Sequence, residues 1–134
     1  MARVNGTTGD ESLLGTNGRD LIRGFGGMDH IKTKGGNDRV SGSGDINTGR
    51  GNDAFYSVRA MYGNWLNDNF FTDVAMRAGN DLVVMTDHDP LHGGTNYAFG
   101  IDIKLGSGRD TIIYGAKTFA DVQDLGSGAD TAFI

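Results

Sequence analysis

The sequence predicts an all-β protein: one domain over residues 1–134, coiled so that short strands fall into two parallel sheets. Three observations predict it. First, Asp20, Asp29 and Asp38 fall nine residues apart, each with a glycine two positions before and Ile or Val two positions after. Second, 23 of 134 residues are glycine and only one is proline, more than double the usual ~7% glycine. Third, later segments alternate: Ile101, Ile103 and Leu105 share one side, with Asp102 and Lys104 between them, as a half-buried strand requires. The near absence of proline and of a three-residue period excludes collagen. An apolar share of 37% in short Val, Ile, Phe and Tyr runs argues against disorder.

The repeats organise the chain. `GTTGDESLLG`, `GTNGRDLIRG`, `GFGGMDHIKT` and `TKGGNDRVSG` align without a gap. Their acidic position reads Glu11, Asp20, Asp29, Asp38, and their apolar position Leu13, Ile22, Ile31, Val40. The next unit, `GSGDINTG`, is shortened, with Asp45 directly before Ile46; the regular tandem thus spans residues 6–48. Over 49–134 the turn returns as `TGRGNDAFY`, `MRAGNDLVV`, `LGSGRDTII` and `LGSGADTAF`. Its carboxylates, Asp53, Asp81, Asp110 and Asp130, are separated by 28, 29 and 20 residues. These larger coils carry the insertions `RAMYGNWLNDN`, `TDHDPLHGGTNY` and `YGAKT`, which solenoids usually gather on one side. About six coils result, each with two strands.

Strands are expected in one sheet at 21–23, 39–41, 54–58, 82–85, 111–114 and 131–134. The other sheet takes strands around Leu13, Ile31 and Ile46, then 70–76, 98–105 and 119–125. In the last of these Asp121 and Gln123 share parity with Phe119 and Leu125, which a β-bulge would reconcile. No segment reads as a helix.

One unit combines three roles. Glycine supplies the positive φ of a tight corner without a Cβ clash and leaves backbone carbonyls open to a ligand. Equivalent corners stack one strand spacing apart, ~4.8 Å, and calcium takes six to eight oxygens at ~2.3–2.6 Å. Carboxylates one coil apart can therefore share an ion, with carbonyls of the glycine turns completing its shell. The aliphatic residue two positions on starts the strand and enters the core.

These units resemble the RTX family of nonapeptide repeats, consensus GGxGxDxUx with U a large apolar residue. `GFGGMDHIK` and `TKGGNDRVS` match it closely, and `GTNGRDLIR` differs only at its Thr. The resemblance implies a right-handed parallel β-roll with Ca2+ in the turns. Carried over by position, it implies one ladder of Asp20, Asp38, Asp53, Asp81, Asp110 and Asp130. A second ladder on the other corner holds Glu11, Asp29 and Asp45. Carbonyls of Gly18, Gly27, Gly36, Gly51, Gly108 and Gly128 would join them. The two ladders have room for about five and about two ions. The second half departs from the pattern in its long insertions and in Ala78 at a glycine position. The resemblance further implies a non-catalytic module of a secreted bacterial protein that folds on calcium binding and is exported by a type I machinery. It also fits the accessory domain of an RTX protease, lipase or alginate epimerase, or a carbohydrate-binding or adhesin module.

The rest of the sequence narrows the field. A net charge of −5 with no basic stripe disfavours nucleic acid, and the absence of cysteine excludes disulfides and thiolate metal sites. No apolar run approaches the ~18 residues of a membrane span. `MARVNGTTGD` lacks the apolar stretch of a cleavable signal peptide, leaving cytoplasmic residence, a leaderless export route, or a module of a longer protein. `HDPLH`, with His88 and His92, reads as a polar loop rather than a second metal site, since Pro90 opposes a helix aligning them. Tyr62, Trp65, Phe70 and Phe71 read as a core cap beside an insertion rather than a sugar platform. Arg19, Arg50, Arg77 and Arg109 read as screening for the acidic turns rather than a site for anionic polymer. Metalloprotease, nucleophile-elbow and phosphate-loop motifs are absent from the sequence. The final strand would be an open edge, to be covered by a homodimer partner or a neighbouring domain.

Overall fold

A computed structural model of the protein describes residues 1–7, 9–25, 28–42, 44–57, 72–85, 101–114 and 120–133. Thirteen strands occur in it: β1 (Ala2–Asn5), β2 (Ser12–Leu14), β3 (Asp20–Arg23), β4 (Asp29–Gly35), β5 (Arg39–Gly42), β6 (Gly44–Arg50) and β7 (Ala54–Ser57), then β8 (Thr72–Ala75), β9 (Leu82–Met85), β10 (Ile101–Lys104), β11 (Thr111–Tyr114), β12 (Ala120–Asp124) and β13 (Thr131–Phe133). The odd strands form one sheet in the order β1-β3-β5-β7-β9-β11-β13, and the even strands the other, β12-β10-β8-β6-β4-β2. Every pairing is parallel. Among the described residues there is no helix, hence none long and apolar enough to cross a membrane. The chain alternates between the sheets at each step, the connectivity a parallel β-roll requires.

Register stacks like residues on like. Ile22, Val40, Phe55, Val83 and Ile112 pair in sequence across the odd sheet. Leu13, Ile31, Ile46, Val74 and Ile103 do so across the even sheet. These ten side chains, with Met76 and Leu105, are the buried core. Each rung thus buries one aliphatic or aromatic group from each sheet, a thin core of one apolar layer per face.

β1 was not anticipated from the repeats, yet Val4 pairs with Ile22 and extends the odd sheet by one strand. Ala2 stands there where later rungs carry a carboxylate, so the repeat signature is lost. The expected bulge near Asp121 is present: Ile101 pairs with Ala120 but Asp102 with Val122, leaving one extra residue on β12. Expectations for Tyr62, Trp65, Phe70, Phe71, His88 and His92, and for the 60–69 and 86–97 loops, lie outside the described residues.

The corners stack backbone on backbone. A Cβ on Gly79 would lie 1.7 Å from the Gly51 carbonyl oxygen, and one on Gly108 1.6 Å from that of Gly79. Both glycines also hold φ well above zero, +148° and +142°. Two residues earlier in the same turns, φ is +88° at Gly49, +90° at Gly106 and +78° at Gly126, and their counterpart is Arg77 at φ +72°. A non-glycine residue in the left-handed region costs about 1 kcal/mol or more.

Gly79→Ala is therefore expected to destabilise the fold by about 3 kcal/mol, through both the backbone clash and the positive φ. Gly9→Ala, whose added Cβ meets nothing nearer than the Thr7 hydroxyl at 3.8 Å, should change stability by under ~0.5 kcal/mol. Denaturant midpoints of the two variants check the contrast.

Candidate metal centre

Strand geometry buries the carboxylates. Successive side chains alternate faces, so an Asp two residues before an inward aliphatic also points inward. Asp20, Asp29, Asp38, Asp53, Asp81 and Asp110 are all at most 3% exposed. The D-x-U spacing itself carries this signal. Asp130, on the terminal rung, is half-buried.

One oxygen of each is held by the neighbouring rung. The backbone N–H of Asp20 donates to Asp38 Oδ1 (2.8 Å), that of Asp38 to Asp53 (2.9 Å), and that of Asp53 to Asp81 (2.9 Å). Asp81 likewise donates to Asp110 (2.9 Å), and Asp110 to Asp130 (3.0 Å). On the other corner Glu11 N–H donates to Asp29 Oδ1 (3.0 Å).

Beside this column runs a second one of opposite sense. Asn37 Oδ1 accepts from the Asn52 N–H (2.9 Å), Asn52 from Asn80 (2.8 Å), and Asn80 from Arg109 (2.9 Å). On the other corner Asp10 accepts from Met28 (2.8 Å) in the same way. The steps from Asp38 to Asp53, Asp53 to Asp81, Asp81 to Asp110 and Glu11 to Asp29 are thus each clamped by one bond running up the stack and one running down. The asparagines of `GGND`, `RGND` and `AGND` carried this signal in the sequence, but it was absorbed there into the turn.

The remaining oxygen distinguishes the rungs. Asp20 Oδ2 accepts from the Thr16 N–H (2.6 Å) and its Oδ1 from the Thr16 hydroxyl (2.9 Å). Glu11 folds back onto Thr7 in the same manner. Asp29, Asp38, Asp53, Asp81 and Asp110 have no such donor: each Oδ2 is buried without a hydrogen-bond partner among the described residues. The Thr33 and Thr48 hydroxyls lie beside Asp38 and Asp53, but each donates its proton to a backbone carbonyl of the next rung, Thr48 and Met76 respectively. Burial accordingly pushes all five carboxyls up, Asp29 to about 6 and Asp81 to about 7. For Asp81, bonding from the Asp53 N–H opposes the shift, and the charges of Asp53 and Asp110 add to it.

Asp45 stands apart. Gly44, not Asp45, pairs with Asp29, so the shortened repeat turns Asp45 to the outer face, where its Oδ2 lies 3.0 Å from His30 Nδ1. A one-residue slip exchanges faces. The second column therefore joins Glu11 and Asp29 without Asp45. Gly27 lies outside the described residues.

The oxygens present fit a hard cation. Among the described residues no three acidic or histidine side chains gather at one point, so a bound ion would need backbone carbonyls as well. Those of Gly36, Gly51, Gly79 and Gly108 receive no backbone N–H among the described residues; each lies instead against the next glycine of the stack. The carbonyls of Gly18 and Gly128 belong to the first and last turns of the same column. Comparison with protein-family models, with curated proteins and with solved structures returned no match.

Two outcomes follow for the metal-free chain. Carboxyls raised in the folded state contribute stability below their unfolded value near 3.8, and that contribution is lost as pH rises through about 6 to 7. The melting temperature in chelator should thus be highest near pH 5 and fall steadily as pH rises toward neutral. Asp81→Asn, which keeps an acceptor for the Asp53 N–H and removes the charge, should flatten that slope. In addition, Asn52→Ala should cost about 1 kcal/mol by freeing the Asn80 N–H, read from denaturant unfolding.

Proposed function

We propose that this chain is a calcium-binding β-roll module of the RTX type, structural rather than catalytic, in a secreted protein. One observation carries the reading: five buried carboxylate oxygens with no hydrogen-bond donor, four of them in a single column on successive rungs. A buried charge without compensation is costly, and a divalent cation is the compensation this donor set suits. Asp38, Asp53, Asp81 and Asp110 would hold ions with glycine carbonyls from the same corners, and Asp29 would do so on the other corner. The bound cation would supply the positive charge that the buried column lacks. The chain's own residues do the rest: amide bonds orient each carboxylate, and the glycine turns bring carbonyls close.

Asp20 and Glu11 are already satisfied by threonine and rank below these five as ligands. Export by a type I machinery without a cleavable leader, and a bacterial source, rest on the repeat resemblance alone.

Calcium titration by calorimetry is expected to show several ions bound per chain, with magnesium much weaker. Far-UV circular dichroism should show β structure lost in strong chelator at neutral pH and regained on calcium addition. Binding of a single ion or none, or a spectrum indifferent to chelation, would overturn the reading.

A further inference from the structure

The outer face of the even sheet is divided by charge. His30, Asp45 and Asp73 lie exposed at the starts of β4, β6 and β8, paired in register. Toward the other ends of the same strands the sign reverses. Lys32, Lys34, Arg50 and Arg77 line one open groove with Asn17 and Asn47, and among the described residues no carboxylate lines it. In a chain of net charge −5, four cations gathered with no acidic side chain among the described lining residues are a departure that screening of the buried carboxylates does not explain.

Arg77 adds a second, independent observation. Gly49, Arg77 and Gly106 are equivalent, since the carbonyl of each accepts from an N–H of the following rung: those of Ala78, Ser107 and Ser127 respectively. Gly49 and Gly106 are glycine, as the positive φ demands; Arg77 takes the same conformation at φ +72° with a Cβ. Its Nε donates to Asn47 Oδ1 at 3.0 Å, which holds the guanidinium at the groove. A strained residue held in place by a side-chain bond points to use of that side chain.

We propose that this groove binds an acidic polysaccharide, a chain of sugars bearing carboxylate or sulfate groups. The cations are spread over three rungs, ~4.8 Å apart along the stack and ~7 Å along β4, so they match a row of negative groups better than a single small anion. Asn17 and Asn47 offer amide donors and acceptors for sugar hydroxyls. The groove has no aromatic lining residue among those described, so it lacks the stacking platform that single-stranded nucleic acid uses. This assignment goes beyond the calcium reading and involves none of the carboxylates of the ladder.

The test is fluorescence anisotropy of a labelled uronate hexasaccharide, and separately a sulfated one, with the full chain in millimolar calcium. Binding is expected at low salt, weakening steeply as salt rises. Arg77→Gly restores the residue that the backbone prefers, so its melting temperature should equal or exceed that of the parent while affinity falls at least ~10-fold. Lys34→Ala should weaken binding in the same sense. The proposal is overturned if neither oligosaccharide binds, or if both variants bind as the parent does, the result expected were calcium merely bridging sugar to the ladder. It is equally overturned if a single-stranded oligonucleotide of equal charge binds as tightly. Calcium calorimetry without sugar stands separately, so failure of one assignment is distinguishable from failure of the other.

Discussion

The structure depends on carboxylates that face the core. Each rung places an Asp two residues before an inward aliphatic, and strand alternation sends both side chains the same way. An ionised carboxyl in that position is tolerable only with partners. Half the need is met internally, because the N–H of the neighbouring rung bonds one oxygen. The other half is left open in the middle of the stack and closed at its N-terminal end, where Thr7 and Thr16 reach Glu11 and Asp20. The repeated unit therefore builds a fold whose stability depends on the charge state of that column.

The apolar core beside this column is thin. It offers one buried apolar side chain per strand, and corners that fix glycine backbones at a cost in chain entropy. What it gains is regularity: identical registers put Ile, Val or Phe over one another through the sheets, and the opposed Asp and Asn bonds lock each rung to the next. Arg109 and Ala129 stand where Asn37, Asn52 and Asn80 stand, so the clamp is half lost toward the C-terminal end.

Much of this was legible in the sequence, because one period writes turn, carboxylate and core residue together. The alternation of the strands between two sheets follows from eighteen-residue coils with a corner at each half. Even the bulge in β12 could be read from the parity clash at Asp121 and Gln123. What escaped was set by partners rather than by period. β1 lacks its Asp and is recruited by pairing with β3, although Val4 keeps step with Ile22 at eighteen residues. Asp45 looked like a ladder member, but its outward turn follows from a local shortening that only pairing with β4 resolves. The asparagine column needs the register between rungs, which no single repeat contains. Arg77 reads as an ordinary turn residue until the glycines above and below it are seen to share its conformation.

The spacings between stacked carboxylates carry a last consequence. Consecutive members of the main column are separated by 18, 15, 28, 29 and 20 residues, yet their hydrogen bonds are nearly identical. The corner is thus the constant unit, and the stretch leading to the next corner varies in length, because closing a longer excursion adds little entropy loss. Such an architecture can acquire new surface by splicing segments between corners without disturbing its spine, which makes it a natural platform for grafting.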